Sequence, residues 1–345
     1  MKKRKIVSTL LALLLLASLP VSALAAEWDI SKGDITVNAG SGGQTVTQGG
    51  GAAVEDSAPV ITGSSQDNTL TINAEKDQTA SVTLSGVNID VSGAGKAAVS
   101  TTGAGNVSIE LNGESKLKSG EKHAGLEKNN GGRLTIADED KNGKLTAEGG
   151  DWGAVIGGGD KGDGSNIIIS GGDVKATSGA GSAGIGGGDS GAGIGGGSEG
   201  NGNNIAISSG EVTATSNGCG AGIGGGGGDG SDITVSGDAK LKVQGGVGDG
   251  IYGAGAGIGN GGSCDELAIP VTGAEVVPDT SGLTTNGSIE YYAPGAYMEN
   301  DTPTSTTTGK PTEPTEPEQP EAKRGAAAPP LPRDRQGRQG HCLHG

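Results

Sequence analysis

The chain is dominated by a glycine-rich phrase that recurs between residues 153 and 260. Its copies are GAVIGGG at 153–159, AGIGGG at 183–188, 192–197 and 221–226, and a degraded AGIGN at 256–260. A second phrase lies between these copies, and its first isoleucines, Ile167, Ile205 and Ile233, are 38 and 28 residues apart. Self-similarity at a period of about 20 to 50 residues is typical of stacked repeats, none of which can bury its apolar face alone. The sequence therefore predicts a solenoid.

Each repeat contains three short segments with strand character. In the second phrase, apolar residues alternate with variable ones, as in Ile167 and Ile169, which is the pattern of a strand with one buried face. A Ser-Gly or Gly-Gly turn follows, and then a second strand with Val174 and Ala176. The AGIGGG phrase adds one inward isoleucine, and its glycines allow tight corners. Three strands and three corners predict an all-β fold, namely a right-handed parallel β-helix with three strands per coil.

Stacking of such coils makes a specific prediction about which residues lie over one another. The AGIGGG phrases should place their isoleucines in one ladder, and the second phrases should place theirs in another. The first ladder is Ile156, Ile194, Ile223 and Ile258, and the second is Ile167, Ile205 and Ile233.

Composition excludes the main alternatives to a solenoid. The 345 residues include 72 glycines, and each glycine inside a helix costs about 1 kcal/mol relative to alanine, which excludes a helix bundle. A flexible Gly/Ser linker would not keep apolar residues at fixed phase. The chain has no Phe and only 2% aromatic residues, which suits a thin interior of aliphatic side chains.

The sequence divides into five segments. Residues 1–26 carry a basic start (Lys2–Lys5), an apolar run and a small-residue cleavage site, which predict a secretory signal peptide. We expect irregular coils over 27–150, regular glycine-rich coils over 151–275, and a C-terminal cap over 276–300. From 301 to 345 the Pro/Thr/Glu-rich composition and basic end predict a disordered tail. Trp28 and the stretch 275–297 are the candidate end caps.

Charge and localisation limit the classes of partner that the protein can bind. The net charge of −16 disfavours nucleic acid and anionic membrane as partners. The predicted signal peptide indicates a secreted or extracellular protein that is free of the membrane after signal cleavage. Association with the cell wall is a further possibility. We expect the protein to be monomeric.

Acidic turns that follow the triple glycines are candidate metal ligands. Carboxylate oxygens are the ligands that Ca²⁺ prefers, and stacked turns would bring them together. In the alternative interpretation these acids only keep a repetitive surface soluble, because stacked like charges repel unless a cation intervenes. The candidate calcium ligands are Asp160, Asp163, Asp189, Asp229 and Asp232.

Few residues stand out for other chemistry. Trp152 and Tyr252 are candidate carbohydrate-stacking residues; alternatively, Trp152 packs the junction between irregular and regular coils. Cys219 and Cys264 occupy different points of the coil and Cys342 is left over, so the residues leave a disulfide open. Residues 27–300 contain one arginine, Arg133, and no distinguished carboxylate pair. The sequence accordingly predicts no catalysis.

Several phrases also resemble a known group of proteins. LSGVNI at 84–89, IELNG at 109–113 and the two repeated phrases are similar to secreted β-helix proteins of clostridial and gut Gram-positive bacteria, of the carbohydrate-binding-domain or pectate-lyase-like kind. The resemblance covers about residues 65–270. It implies a right-handed parallel β-helix, a surface location and, in some members, binding of acidic or cellulosic polysaccharide with calcium. No catalytic motif of that family transfers to this chain.

Taken together, these features predict a secreted, non-catalytic β-helix that binds polysaccharide at the bacterial surface with the assistance of Ca²⁺. Two alternatives remain open at this point. The chain could be a structural or adhesive surface protein that binds other proteins, or it could be a polysaccharide lyase or hydrolase.

Overall fold

Short strands occupy most of the chain that the computed structural model describes, which is residues 25–177, 191–248, 253–263, 271–296 and 298–309. Strands are numbered along the chain, and they form three sheets. In the first sheet, all neighbours are parallel. Its strands are β1 (Glu27–Asp29), β5 (Val60–Thr62), β8 (Thr79–Ser85), β11 (Asn106–Asn112), β14 (Leu134–Ala137), β17 (Ile167–Ile169), β20 (Gly202–Ile207) and β23 (Gly230–Val235).

The second and third sheets are parallel except at one end each. The second sheet contains β25 (Ile258–Gly259), β22 (Ile223–Gly224), β19 (Ile194–Gly195), β16 (Ile156–Gly157), β13 (Leu126–Lys128), β10 (Val99–Gly103), β7 (Leu70–Ala74), β2 (Ile35–Gly40), β3 (Gly43–Gln48) and β4 (Val54–Glu55). The third sheet contains β27 (Ser305–Thr308), β26 (Ser288–Tyr292), β24 (Lys240–Gln244), β21 (Glu211–Thr215), β18 (Asp173–Thr177), β15 (Lys144–Glu148), β12 (Glu114–Lys118), β9 (Asn88–Asp90) and β6 (Ser64–Ser65). Two short 3₁₀ turns, Ile30–Lys32 and Ser92–Ala94, complete the elements.

The chain winds through the three sheets in a fixed order. From β5 to β25 it visits the first, the third and then the second sheet before returning to the first, one strand higher. Parallel strands need such crossovers. The predicted parallel β-helix with three strands per coil is therefore confirmed.

The two predicted isoleucine ladders are present. Ile156 pairs in register with Ile194, which pairs with Ile223, which pairs with Ile258. In the first sheet, Ile205 pairs with Ile167 on one side and Ile233 on the other. All of these side chains are buried. Full burial of one aliphatic side chain contributes about 1.5–3 kcal/mol, so the stacked rows supply the main stabilisation.

Glycine is required at the corner that follows each isoleucine of the second sheet. Gly157, Gly195, Gly224 and Gly259 have φ of +141°, +135°, +133° and +136°. A Cβ on Gly224 would lie 2.0 Å from the carbonyl oxygen of Gly259 in the next coil. The corner carbonyls accept across coils, as in Gly196 N to Gly224 O at 2.9 Å. Both the backbone conformation and the space therefore exclude a side chain here.

Replacing one corner glycine should consequently destabilise the whole solenoid. We expect Gly224→Ala to lower the free energy of unfolding by roughly 2–4 kcal/mol, because the methyl group clashes with backbone that cannot move alone. Urea denaturation followed by circular dichroism measures this. Gly42→Ala is the matched control, since nothing lies within 4 Å of a Cβ at Gly42; equal midpoints for the two variants would contradict the role of the corner.

The N-terminal end departs from the coil pattern. The strands β2, β3 and β4 form an antiparallel meander at the end of the second sheet, which the repeat-based prediction did not contain. Trp28, a predicted cap residue, lies in β1, packs against the core and donates from Nε1 to Asp56 Oδ2 at 2.8 Å. The meander covers an edge of the sheet that would otherwise expose unpaired backbone groups.

At the C-terminal end the structure corrects one boundary. Strand β27 (Ser305–Thr308) pairs antiparallel with β26, although the composition predicts a disordered chain from residue 301. Threonine favours strands, and the edge of β26 offers unpaired backbone groups, so pairing prevails over the Pro/Thr-rich composition. Gln244 anchors the cap to β24 by donating from Nε2 to the carbonyl oxygens of Ala293 and Ala296, at 2.8 and 3.1 Å.

Some predicted features lie outside the described residues. These are residues 1–24 of the predicted signal peptide, residues 310–345 of the predicted tail, and Asp189, Tyr252, Cys264 and Cys342. Cys219 is disulfide-bonded.

Candidate functional site: a groove on the third sheet

The outward side chains of the third sheet stand in columns, because its strands stack in register. Side chains two residues apart on a strand share a face, so each strand contributes one residue to each column. The middle column is Asn88, Lys116, Thr146, Lys175, Thr213, Lys242 and Glu290. The column toward the strand starts is Glu114, Lys144, Asp173, Glu211, Lys240 and Ser288. The column toward the strand ends contains Asp90, Lys118, Glu148, Thr177, Thr215, Gln244 and Tyr292.

Two clefts lie over these columns and run into one another. The first has a volume of about 600 Å³, with Lys118, Thr146 and Glu148 on its floor and the turns at Glu121 and Asp151 along its side. The second has a volume of about 440 Å³. It is lined by Lys175, Thr177, Thr213, Thr215, Lys242, Gln244, Ala296, Met298, Glu299 and Asn300. Lys175 and Thr177 line both clefts, so we treat the two as one feature, the third-sheet groove.

The groove crosses the strands and therefore follows the axis of the solenoid. Neighbouring strands are about 4.8 Å apart. An extended polymer in the groove thus meets an equivalent row of polar side chains at every coil, whereas a small molecule would use only one segment of it.

Ion pairs between exposed side chains cover much of this surface. Lys118 Nζ lies 2.9 Å from Glu148 Oε2, and Lys144 Nζ lies 3.1 Å from Asp173 Oδ2. These contacts raise the pKa of both lysines, in each case chiefly through the hydrogen bond to the carboxylate. At the first cleft, burial raises the pKa of Asp151, and the charge of Glu121 adds to the effect. The first cleft carries three carboxylates, whereas Lys175 lies where the clefts meet and Lys242 lies in the second cleft.

A buried hydroxyl lies where the two clefts meet. Thr177 Oγ1 is shielded from solvent and has no hydrogen-bond partner among the described residues. Leaving such a group unsatisfied costs about 1–3 kcal/mol. Buried hydroxyls are otherwise almost always bonded, so Thr177 Oγ1 is an unusual unsatisfied group at this junction.

The predicted calcium turns adopt a different arrangement from a cluster of carboxylates. Asp163 Oδ1 accepts from Asn201 N at 2.8 Å and from Asn201 Nδ2 at 3.1 Å. Asn201 Oδ1 accepts from Asp229 N at 2.9 Å, and Asp229 Oδ1 accepts from Asn260 Nδ2 at 2.8 Å. Acid and amide thus alternate along this ladder, and amide hydrogen bonds separate the carboxylates of Asp163 and Asp229.

The other candidate ligands lie elsewhere. Asp232 has φ of +52° and stacks at the head of a second ladder, in which Asn204 Nδ2 donates to Asn166 Oδ1 at 2.6 Å. Asp160 donates its backbone N–H to Lys122 O at 2.8 Å, and Asp189 is outside the described ranges. Among the described residues, no group of three or more His, Cys, Asp or Glu side chains is arranged to hold a metal ion. The alternation was not predicted from the sequence, because the search was for charged metal ligands and asparagine side chains are uncharged.

The acid–amide ladder makes a testable prediction about charge. Asn201→Asp would place three carboxylates on consecutive coils, so we expect a melting temperature lower by on the order of 2 °C at low salt. Added NaCl should reduce the loss through screening, and millimolar CaCl₂ should reverse it by bridging carboxylates. Asn201→Ala removes the amide without adding charge, and is the control. Equal, salt-independent losses for both variants would contradict the account.

Of the two predicted carbohydrate-stacking residues, Trp152 does not line the groove. Trp152 is half-buried in a turn with φ of +68°, and Lys122 Nζ lies 5.1 Å from the centre of its ring. That cation–π contact covers one ring face, which agrees with the packing interpretation. Tyr252 is outside the described residues. Tyr291 instead lines an apolar cleft of about 540 Å³ at the C-terminal cap, with Pro278 and Val277, and burial raises its pKa to about 12.

A buried polar cluster on β13 was not anticipated. Glu127 is 6% exposed, and its carboxylate contacts His123 Nδ1 at 2.7 Å, Ala124 N at 3.1 Å and Asn129 Nδ2 at 2.6 Å. The next residue, Lys128, stacks on Thr101 and donates from Nζ to Asn130 O at 2.8 Å. Burial lowers the Lys128 pKa from 10.5 to about 8. The cluster fixes the turn around Asn130, where the irregular coils meet the glycine-rich ones.

The lowered pKa of Lys128 predicts a pH-dependent stability. Between about pH 8 and 10.5 the unfolded chain holds the lysine proton and the folded chain releases it, so the free energy of unfolding rises with pH in this window, by at most about 1.4 kcal/mol per pH unit. Lys128→Met should remove this rise. Urea denaturation of both proteins at pH 7.5, 9 and 10 tests it, and parallel stability curves would show that Lys128 does not titrate as described.

Comparison with known proteins identifies no relative. No family model matches the chain, no curated protein matches it, and no solved structure matches it. Within the described ranges there is also no helix of the length and apolar character needed to cross a membrane.

Proposed function

We propose that this protein is a secreted, non-catalytic polysaccharide-binding β-helix that holds an extended glycan in the third-sheet groove. The observation that carries the proposal is the continuity of the groove. Its two clefts share Lys175 and Thr177 and extend over the strands from β12 to β24. A linear chain of repeating units is the ligand that best matches a floor whose polar groups repeat at every coil.

The chemistry of the floor suits sugar hydroxyls. Threonine hydroxyls both donate and accept, lysines donate and carboxylates accept, and these groups alternate along the groove at Thr146, Lys175 and Thr213. The strand spacing of about 4.8 Å is close to the length of one pyranose ring in an extended glycan. Each sugar could therefore contact one coil. Aromatic platforms are scarce, so affinity would come from many polar contacts.

Secretion rests on the signal-like segment 1–26, and surface location on the Pro/Thr/Glu-rich tail. Calcium enters the proposal as an assisting ion, through the acidic residues Glu121, Glu148 and Asp151 that line the first cleft. Retention measured with and without EDTA tests this part separately from binding itself.

One observation favours a second candidate, a polysaccharide hydrolase. Asp151 and Glu121 line the first cleft together, and the pKa of Asp151 is raised by burial first and by Glu121 second. Most glycosidases use a carboxyl group with a raised pKa as the general acid, together with a second carboxylate. Release of reducing ends from the bound glycan, abolished in Asp151→Asn, would support this candidate over simple binding.

A bulky side chain on the groove floor tests the proposed binding face. Thr213→Trp would fill the floor between its neighbouring coils, so we expect the retention on the glycan that the wild type binds to fall severalfold. Thr135→Trp is the matched control, because Thr135 faces outward on the first sheet, opposite no cleft of the groove. Affinity electrophoresis in gels containing pectin, xylan or soluble cellulose measures both. Equal retention of the two variants would move the site elsewhere, and retention on surface proteins but on no glycan would favour the adhesive alternative.

A further inference from the structure

Two lysines on the third sheet differ from the other lysines on that sheet. Six lysines point outward there, and four of them form ion pairs: Lys116 with Glu114, Lys118 with Glu148, Lys144 with Asp173, and Lys240 with Glu211, at 2.9–3.3 Å. Lys175 and Lys242 are exposed and form no ion pair within 4.0 Å among the described residues. Both line the second cleft.

The two unpaired lysines occupy equivalent positions on alternate coils. Lys175 pairs in register with Thr213, and Thr213 pairs with Lys242. Two strand spacings separate them, which is about 9.6 Å. Thr213 lies between the two lysines on the intervening strand, and Thr215 lies in the adjacent column of the same strand. The second cleft therefore presents cation, hydroxyl and cation in a row along the axis.

Comparison with the neighbouring column indicates that Lys175 and Lys242 do more than keep the surface soluble. In the column that starts with Glu114, each of the two lysines has an acidic partner one coil away, so both positive charges there are compensated. The floor of the second cleft keeps two positive charges on a protein whose net charge is −16. Charges farther than a Debye length, about 8 Å at physiological salt, are largely screened. Asp173 and Glu211 lie two residues from Lys175 and Thr213 on the same strands, about 6.6 Å away, but each forms an ion pair with a lysine. The charged side chains that line this cleft are Lys175, Lys242 and Glu299.

We propose that Lys175 and Lys242 are a two-point anion site, and that the glycan held in the third-sheet groove carries carboxylate or sulfate groups at intervals that match alternate coils. This inference rests on the proposed function and specifies its ligand class. The ammonium groups bind the anions, and Thr213 between them hydrogen-bonds to a hydroxyl of the intervening sugar. The acidic first cleft accommodates the uncharged part of the chain.

The test compares charge-neutral variants inside and outside the cleft. The full-length secreted chain and its Lys175→Gln/Lys242→Gln double variant are measured for binding to polygalacturonate, to dextran sulfate and to dextran. The control is Lys144→Gln/Lys240→Gln, which removes the same charge from the same sheet but at ion-paired positions outside the clefts. We expect the cleft variant to lose about tenfold or more in affinity for the anionic probe that binds, as each charged hydrogen bond is worth a factor of about ten, and the control to lose less than about twofold.

The outcomes separate the two proposals. Loss on polygalacturonate indicates carboxylates and loss on dextran sulfate indicates sulfates, and in both cases wild-type binding should weaken as NaCl is raised. Equal losses in the cleft and control variants, or salt-independent binding, would overturn the anion site. Binding to dextran alone would overturn the anion site and leave the polysaccharide proposal standing. If the wild-type protein binds none of the three probes and no neutral plant glycan, both the anion site and the polysaccharide proposal are contradicted.

Discussion

The whole structure depends on parallel backbone stacking in strict register. Each coil can lie directly over the previous one only if the corners have the same shape, and the second-sheet corner requires positive φ with no side chain. Gly157, Gly195, Gly224 and Gly259 satisfy this condition in four coils. Once the corners repeat, the aliphatic residues beside them fall into ladders and the core forms as a narrow stack. The high glycine content, which would destabilise a helical protein, is what permits this fold.

Register also determines the outer surface. A strand has two faces, so a register that places Val174, Val212 and Leu241 inside places the residues between them outside in equally regular columns. The third-sheet groove is a consequence of that rule, and its floor repeats because the core repeats. The same rule explains the corner ladder of Asp163, Asn201 and Asp229, where like charges would otherwise stack. Alternating amides relieve that repulsion without requiring an ion.

Much of this could be predicted from the residues alone. The period located the coils, and the alternation gave the inward residues, so both isoleucine ladders were predicted pair by pair. The antiparallel meander at β2–β4 and the edge strand β27 could not be found this way, because the ends of a solenoid lack the repeat that carries the signal. Outward positions vary from coil to coil, so Lys175 and Lys242 were indistinguishable from scattered charges until the register aligned them. The calcium prediction grouped the aspartates by nearness to the triple glycines, whereas the structure distributes them over separate ladders.

Hydrogen–deuterium exchange of the full chain, followed by mass spectrometry, tests the central claim of in-register coil stacking most directly. The amide of Gly196 donates to Gly224 O, and that of Gly225 donates to Gly259 O, at 2.9 and 3.0 Å. Peptides covering 191–197 and 221–226 should accordingly exchange over hours, although their composition is that of a flexible linker. Complete exchange of these glycine-rich peptides within seconds, under conditions where β8 and β11 remain protected, would contradict the stacking on which the ladders, the columns and the groove depend.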